Sequence, residues 1–276
     1  MTPSRIMARV GLPLLAGAFV ALVIAEHMRP LRGGDARGER GRAGARARRL
    51  ARNAALAASS GAVTALVVYP ALFAVARTSS ARGFGLLGLL PERTPAIARV
   101  GIAVLALDYS MYLWHRANHA APLLWRFHRV HHADAALDTS TAFRFHAGEV
   151  LMSVAYRAPV VALLGVSAEL FAAFEIALEL ATELQHADVK LPARLERALD
   201  ALLVTPSMHG THHSDVASET DSNWSVIFSF WDRLHGTYRR RRRPGESPIA
   251  IGLPGQREAA ARGLGALFTM PFRRVP

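Results

Sequence analysis

Twelve histidines stand in this chain of 276 residues, and eleven of them fall between His115 and His235. Eight lie in three tight clusters. His115-Arg116-Ala117-Asn118-His119 is an H-x-x-x-H, which on a helix places two imidazoles on one face, one turn apart. His128-Arg129-Val130-His131-His132 combines spacings of three and four, and on a helix its adjacent rings His131 and His132 point about 100° apart. His209-Gly210-Thr211-His212-His213 repeats that H-x-x-H-H spacing. A lone histidine is ordinarily a hydrogen-bonded surface or core residue, but clusters with matched spacing need another account. Imidazole suits iron, zinc, copper and nickel, and one metal accepts about six ligands at most, so eight clustered histidines point to two metals. The chain has no cysteine, which excludes thiolate catalysis, disulfides, iron–sulfur clusters and cysteine-based zinc sites. Ligation requires neutral imidazole, so binding weakens as pH falls through the histidine range.

Carboxylates beside the clusters are candidates for orienting the rings or moving protons. Asp108 lies two helical turns before His115 on the same face, and Glu149 follows His146 in an H-x-x-E; these two are the candidate catalytic residues. Asp188 and Asp215 follow His186 and His213, and Glu183-Leu184-Gln185-His186 is an E-x-x-H. Glu175, Glu179 and Glu183 recur every fourth residue and lead to His186 on one helical stripe. Two accounts of that stripe stand: an acidic face meeting water at a membrane surface, or a face turned inward to a metal and its hydrogen-bonding partners. A ferritin-like carboxylate site needs two E-x-x-H helices and further glutamates, and is not adopted.

The elements that must position these residues read as membrane helices. Hydrophobic residues make up 51% and charged residues 20%, with a mean hydropathy of +0.18, which favours a membrane protein over an ordinary soluble domain. Residues 10–25 are uncharged and no small-x-small cleavage site follows, which favours an uncleaved first helix over a secretory signal. Residues 54–76 carry no charge and are long enough to cross the hydrocarbon, with Pro70 a kink. Residues 100–114 are apolar apart from Asp108 and end in Tyr109, Tyr112 and Trp114, an aromatic girdle. Residues 149–186 read as two helices, broken near Pro159 and Gly165, that leave and return to one face. Thr205 as N-cap and Pro206 at the first helical position start a further helix.

Net charge is +12, and Lys190 is the only lysine. Residues 31–53 scatter Arg32, Arg37, Arg40, Arg42, Arg46, Arg48, Arg49 and Arg52 among Gly and Ala, too low in complexity to pack a core. No aromatic is present there to stack a base, so a nucleic-acid partner is not expected, and the run reads as a cytoplasmic loop by the positive-inside rule. The histidine region then emerges on the cytoplasmic side, in agreement with Arg239 to Arg243. Residues 223–235 are aromatic-rich and fit the membrane interface. Gly83-Phe84-Gly85-Leu86-Leu87-Gly88 matches a dinucleotide fingerprint but follows no strand, and is rejected. Three divisions follow: 1–99, membrane helices with the arginine loop; 100–243, the catalytic domain; and 244–276, a loose tail.

From 107 to 238 the chain resembles the fatty acid hydroxylase superfamily, the sterol desaturase family of membrane di-iron enzymes. The residues that carry the resemblance are Asp108-Tyr109, His115-Arg116 and His119, the run from Leu124 to His132, Arg144-Phe145-His146, Thr205-Pro206 with His209, His212 and His213, and Trp231-Asp232-Arg233-Leu234 with Gly236-Thr237-Tyr238. Asn223-Trp224-Ser225 and His235 depart from the family pattern, outside the ligand clusters. The resemblance implies an all-α integral membrane protein with a cytoplasmic histidine-rich helical cap holding a di-metal site, in a bacterial inner membrane. It implies two iron ions bound by His115, His119, His128, His131, His132, His209, His212 and His213, with His186 completing the set and His146 added. It also implies O2 as co-substrate, a membrane lipid hydroxylated or desaturated, and a separate electron donor such as a ferredoxin, cytochrome or reductase. A histidine-rich metal transporter is the alternative, but the three main spans hold no histidine. A zinc hydrolase ranks below it, since no H-E-x-x-H occurs.

Overall fold

The computed structural model describes residues 1–32, 43–239, 249–256 and 263–273; Arg37, Arg40, Arg42 and the arginines at 240–243 lie outside the described residues. Among the described residues the regular elements are helices, joined by isolated bridges such as Leu203 with Phe228. Helix α1 (Pro3–Met28) is followed by α2 (Ala43–Val63), which continues through a π-helical turn, Thr64–Val68, into α3 (Tyr69–Ala81). Pro70 lacks the N–H that would bond back to Leu66, and the π turn accommodates that missing bond just ahead of it, so the helix runs on.

Helix α4 (Ala96–Ala120) carries His115 and His119 in its last two turns. Ala121 is extended, as the residue before a proline must be, and Pro122 opens α5 (Pro122–His132), which carries the second cluster. Helices α6 (Ala147–Leu164) and α7 (Ala168–His186) follow, α7 capped by Ser167 Oγ accepting from Leu170 N at 3.2 Å. Helix α8 (Ala193–Asp200) precedes the short α9 (Pro206–His212), capped by Thr205 and opened by Pro206 as expected. Three short helices follow: α10 (Ala217–Thr220), α11 (Phe230–Leu234) and α12 (Leu264–Thr269).

Four stretches, Pro3–Met28, Gly44–Leu89, Ala96–Ala120 and Ala147–Leu164, are long and apolar enough to cross a membrane. Leu12, Leu14, Leu66, Ile97, Leu151 and Leu163 on these helices face outward, which suits lipid contact rather than water. The chain is an integral membrane protein. Its main core lies between α3, α4, α6 and α7, with Leu72, Phe73, Ala76, Ala103, Leu107, Val161, Phe171 and Phe174 buried together. Gly165 ends α6 at φ +69, and a Cβ there would stand 2.2 Å from Phe84 O. Gly85 of the rejected fingerprint therefore serves backbone contact, its own Cβ position being 2.5 Å from Gly165 N.

Two sequence expectations change. Residues 43–53 are helical rather than loop, and Arg49, only 2% exposed, binds Asp134 (Nη1 to Oδ2, 2.8 Å) and Asp138. Arg32 is likewise buried and donates to Pro206 O at 2.8 Å. The described parts of the tail pack as well: Leu267 and Met270 join Leu56, Val130 and Ala133 in a second core, over which Arg129 donates to Met270 O.

Candidate metal centre

Nine histidines converge into two groups in which one ligand atom per residue lies within 4.8 Å of all the others. The first group is His115, His119, His128, His132 and His212; the second is His131, His186, His209 and His213. Each H-x-x-H-H run is divided by helix geometry. Residues four apart share a face, so His128 with His132 enters the first group and His209 with His213 the second. The remaining rings, His131 and His212, turn to the opposite group.

Four rings are fixed through Nδ1. His115 Nδ1 donates to Trp224 O at 2.9 Å, His128 to Glu149 Oε1 at 2.7 Å, His186 to Thr182 O at 2.7 Å and His212 to Ser222 O at 2.8 Å. A carbonyl or carboxylate oxygen only accepts, so Nδ1 carries the proton and Nε2 presents a bare lone pair. His186 Nε2 faces His131 Nε2 at 3.0 Å and His209 Nε2 at 3.1 Å, and His128 Nε2 faces His132 Nε2 at 3.2 Å. Nε2 of His119 and of His212 is buried without a partner. Ring nitrogens crowded at these spacings, with orphaned nitrogens among them, fit a nitrogen-lined pair of cation sites.

Burial lowers the affinity of six of these rings for protons. It is the largest influence on His131, His132, His209 and His213, which are held well below the ordinary value, with neighbouring histidines adding to the effect. Burial also brings His212 down to about 3 and His186 to about 4. These six rings are neutral at physiological pH, the state that ligation requires.

Two candidates stand apart. His146 caps α6, its Nδ1 accepting from Gly148 N at 3.0 Å while its Nε2 meets Phe268 O at 3.3 Å; with both nitrogens engaged, it joins neither group. Asp108 is buried away from the rings, accepting from Ile227 N, Phe228 N and Trp231 Nε1 at 3.1, 3.1 and 2.8 Å. It anchors the aromatic segment whose Trp224 O orients His115, so it acts on the centre at one remove. Glu149, by contrast, meets His128 directly. Sequence spacing gives no signal for the carbonyls of Thr182, Ser222 and Trp224, because any residue supplies one. Phe145, stacked on His131 with ring centroids 4.7 Å apart, sits in the Arg144-Phe145-His146 run, where sequence alone assigns it no role.

A cavity of about 160 Å³ opens beside the rings. His115, His128, His131, His186 and His209 line one part of it, and Tyr69, Arg157, Glu175 and Glu179 another. The acidic stripe of α7 is turned inward: Glu175 is 2% exposed and bound to Arg157, and Glu183 is fully buried. The water-facing account of the stripe is thereby set aside, and none of its carboxylates hydrogen-bonds a histidine of the two groups.

Residues 100–237 match the family model for fatty acid hydroxylase. Among curated proteins, the chain is 30% identical over 184 residues to an ornithine lipid hydroxylase, OlsE, of Rhizobium tropici, covering 67% of this chain and 53% of that protein. It is 30% identical over 144 residues to alkylglycerol monooxygenase of Danio rerio, covering 50% and 30% respectively. Cholesterol 25-hydroxylase of Mus musculus is 28% identical over 172 residues, covering 59% and 55%. The chain thus spans between about a third and just over half of the length of these relatives. No solved structure gives a significant match. The match runs from the first turns of α4 to the end of the aromatic segment and takes in every histidine of both groups: this chain belongs to the fatty acid hydroxylase family.

Proposed function

We propose that this protein is a non-haem di-iron oxidoreductase that uses O2 to hydroxylate a C–H bond of a membrane lipid. The observation that carries the reading is the division of nine histidines, seven buried and two half-buried, into groups of five and four beside one cavity among membrane helices. Iron held by both groups would supply the reduction of O2 and the oxidation of the C–H bond. The balance is R–H + O2 + 2 e⁻ + 2 H⁺ giving R–OH + H2O, with the electrons from a separate ferredoxin, cytochrome or reductase. Desaturation begins with the same hydrogen removal. The names of the relatives, hydroxylases and monooxygenases of ornithine lipid, alkylglycerol and cholesterol, support a lipid substrate. In this reading Glu149 keeps His128 oriented and its Nε2 unprotonated, Trp224 O and Ser222 O do the same for His115 and His212, and Phe145 shields His131 from water. The rings lie on the cytoplasmic side of a bacterial inner membrane, the orientation favoured by the arginine-rich stretch after α1.

The test is anaerobic purification in detergent, elemental analysis per chain, and incubation with membrane lipids, a reductase system and isotopically labelled O2. Two irons per chain and one labelled oxygen in a lipid product are expected. A single zinc, or no label in any lipid, overturns the proposal.

A further inference from the structure

Helix α8 (Ala193–Asp200) is amphipathic in the reverse sense of a helix packed on a soluble core. Its acidic face is turned to the protein: Glu196 accepts from Ser207 Oγ, and Asp200 accepts from Tyr238 Oη at 2.5 Å and from Arg233 Nη2 at 3.2 Å. Leu195, Ala198 and Leu202, spaced by three and four residues, share a face that points away, with Leu195 46% and Leu202 53% exposed. Arg194 and Arg197 are exposed along the flank of that face, and Lys190 is exposed just before the helix. A surface helix in water buries its leucines and exposes its carboxylates. The reversal means that the leucine face of α8 meets something apolar other than the core of this chain.

The depth of α8 decides what that is. Val204 N donates to Ile227 O at 3.0 Å and Leu203 pairs with Phe228, which fastens the end of α8 to the segment held by Asp108. Asp108 lies about 18 Å along α4 from Ala96, within the ~30 Å that a crossing helix spends in hydrocarbon. Leu105 and Leu113, before and after Asp108 on α4, stay exposed, as lipid-facing residues at that depth do. We propose that α8 is a membrane-surface anchor: Leu195 and Leu202 enter the edge of the hydrocarbon, and Lys190, Arg194 and Arg197 hold the phosphates of anionic lipids. A leucine face flanked by cations is the pattern of a helix lying in the interface, and each cation near an anionic surface strengthens binding about fivefold. A second copy of the chain would set the same three cations against themselves. Because α8 lies between His186 and Thr205, the contact steadies the connection between two ligand-bearing helices, α7 and α9.

The chain has no cysteine, so single cysteines report depth without background. Full-length Leu195→Cys and Leu202→Cys, labelled with bimane, are placed in phosphatidylcholine nanodiscs with and without phosphatidylglycerol. Quenching by a lipid-borne nitroxide is compared with quenching by aqueous iodide. Leu66→Cys on a membrane span and Ser218→Cys on α10, both exposed positions, serve as the lipid and water references. The labels at 195 and 202 are expected to be quenched by the nitroxide as the Leu66→Cys label is, and to lose the iodide quenching that the Ser218→Cys label shows. Phosphatidylglycerol should increase the nitroxide quenching, and Lys190→Gln/Arg194→Gln/Arg197→Gln should remove that increase with the helical circular dichroism unchanged. Iodide access equal to that of the Ser218→Cys label overturns the anchor, and shielding from both quenchers overturns it in favour of a second copy. A phosphatidylglycerol response that survives in the triple variant, or that is absent before it, overturns the role of the three cations.

Discussion

Glu149 lets the two histidine groups be told apart by one substitution. Its Oε1 lies 2.7 Å from His128 Nδ1, with His128 3% and Glu149 4% exposed, and His128 belongs to the group of five. None of the four histidines in the other group is hydrogen-bonded to it. A hydrogen bond to a charged partner contributes about 1.5–3 kcal/mol. Removing such an outer partner weakens metal affinity about 10–100-fold, which is about 1.4–2.8 kcal/mol. The two routes agree. Glu149→Gln still accepts from Nδ1 but loses the charge, so the expected loss is about tenfold; Glu149→Ala also frees the ring, and the loss approaches 100-fold. The assay is elemental analysis of metal retained per chain across a chelator series. One metal should leave at lower chelator while the other leaves as in the unaltered protein. Release of both metals in step, or unchanged retention in Glu149→Ala, would refute the assignment of Glu149 to one site.

Neighbouring histidines give a second separation: His212→Ala and His213→Ala should each cost one metal of two, and the double variant both. If His212→Ala strips both metals with the helical circular dichroism intact, the division into groups is wrong. The metal-free protein should lose stability on acidification. Its rings have lowered pKa values, so the unfolded chain takes up protons first, and stability falls from about pH 6.5 toward the values of about 4 and 3 for His186 and His212. Each tenfold drop in a ring's proton affinity on folding is about 1.4 kcal/mol before coupling between rings is counted; thermal unfolding that stays level between pH 7 and 5 contradicts this. Gly165→Ala places a methyl 2.2 Å from Phe84 O at a residue with φ +69. It should destabilise by about 1–3 kcal/mol or more, read as a lower melting temperature in detergent.

Spacing makes the ligands legible because α-helical geometry alone decides which of two adjacent rings faces which way; that is how His131 and His132 separate without any structure. His186, isolated in sequence, is reached through the family resemblance, and the structure seats it against His131 and His209. Asp108 shows where the same rule stops. It shares a face with His115, but seven residues are about 10 Å of helix, and a shared face says nothing of depth. His146 departs from expectation for another reason: as an N-cap it uses its ring on the backbone, a role that spacing to Glu149 does not reveal. The arginine run reads as a loop in sequence because Asp134 and Asp138, which neutralise Arg49, lie far along the chain.

Those distant partners bear on how the centre is held. Helix α9, with seven residues, is too short to be stable alone, yet it carries three ligands with the residue after it. Arg32 fixes it by donating to Pro206 O, and also donates to Leu137 O just beyond α5 at 3.2 Å and pairs with Asp188 after His186. Glu26, at the end of α1, accepts from Thr139 N and Asp188 N at 2.7 and 2.9 Å. The three chain segments that leave or approach the ligand clusters are therefore bound to two residues beside the end of the first helix. Glu26, Arg32 and Arg49 all precede residue 100, where the family match begins. The matched segment thus contains the ligands, whereas part of what sets their spacing comes from N-terminal residues, Glu26 at the end of α1 and two arginines whose charges, read alone, belong to a loop.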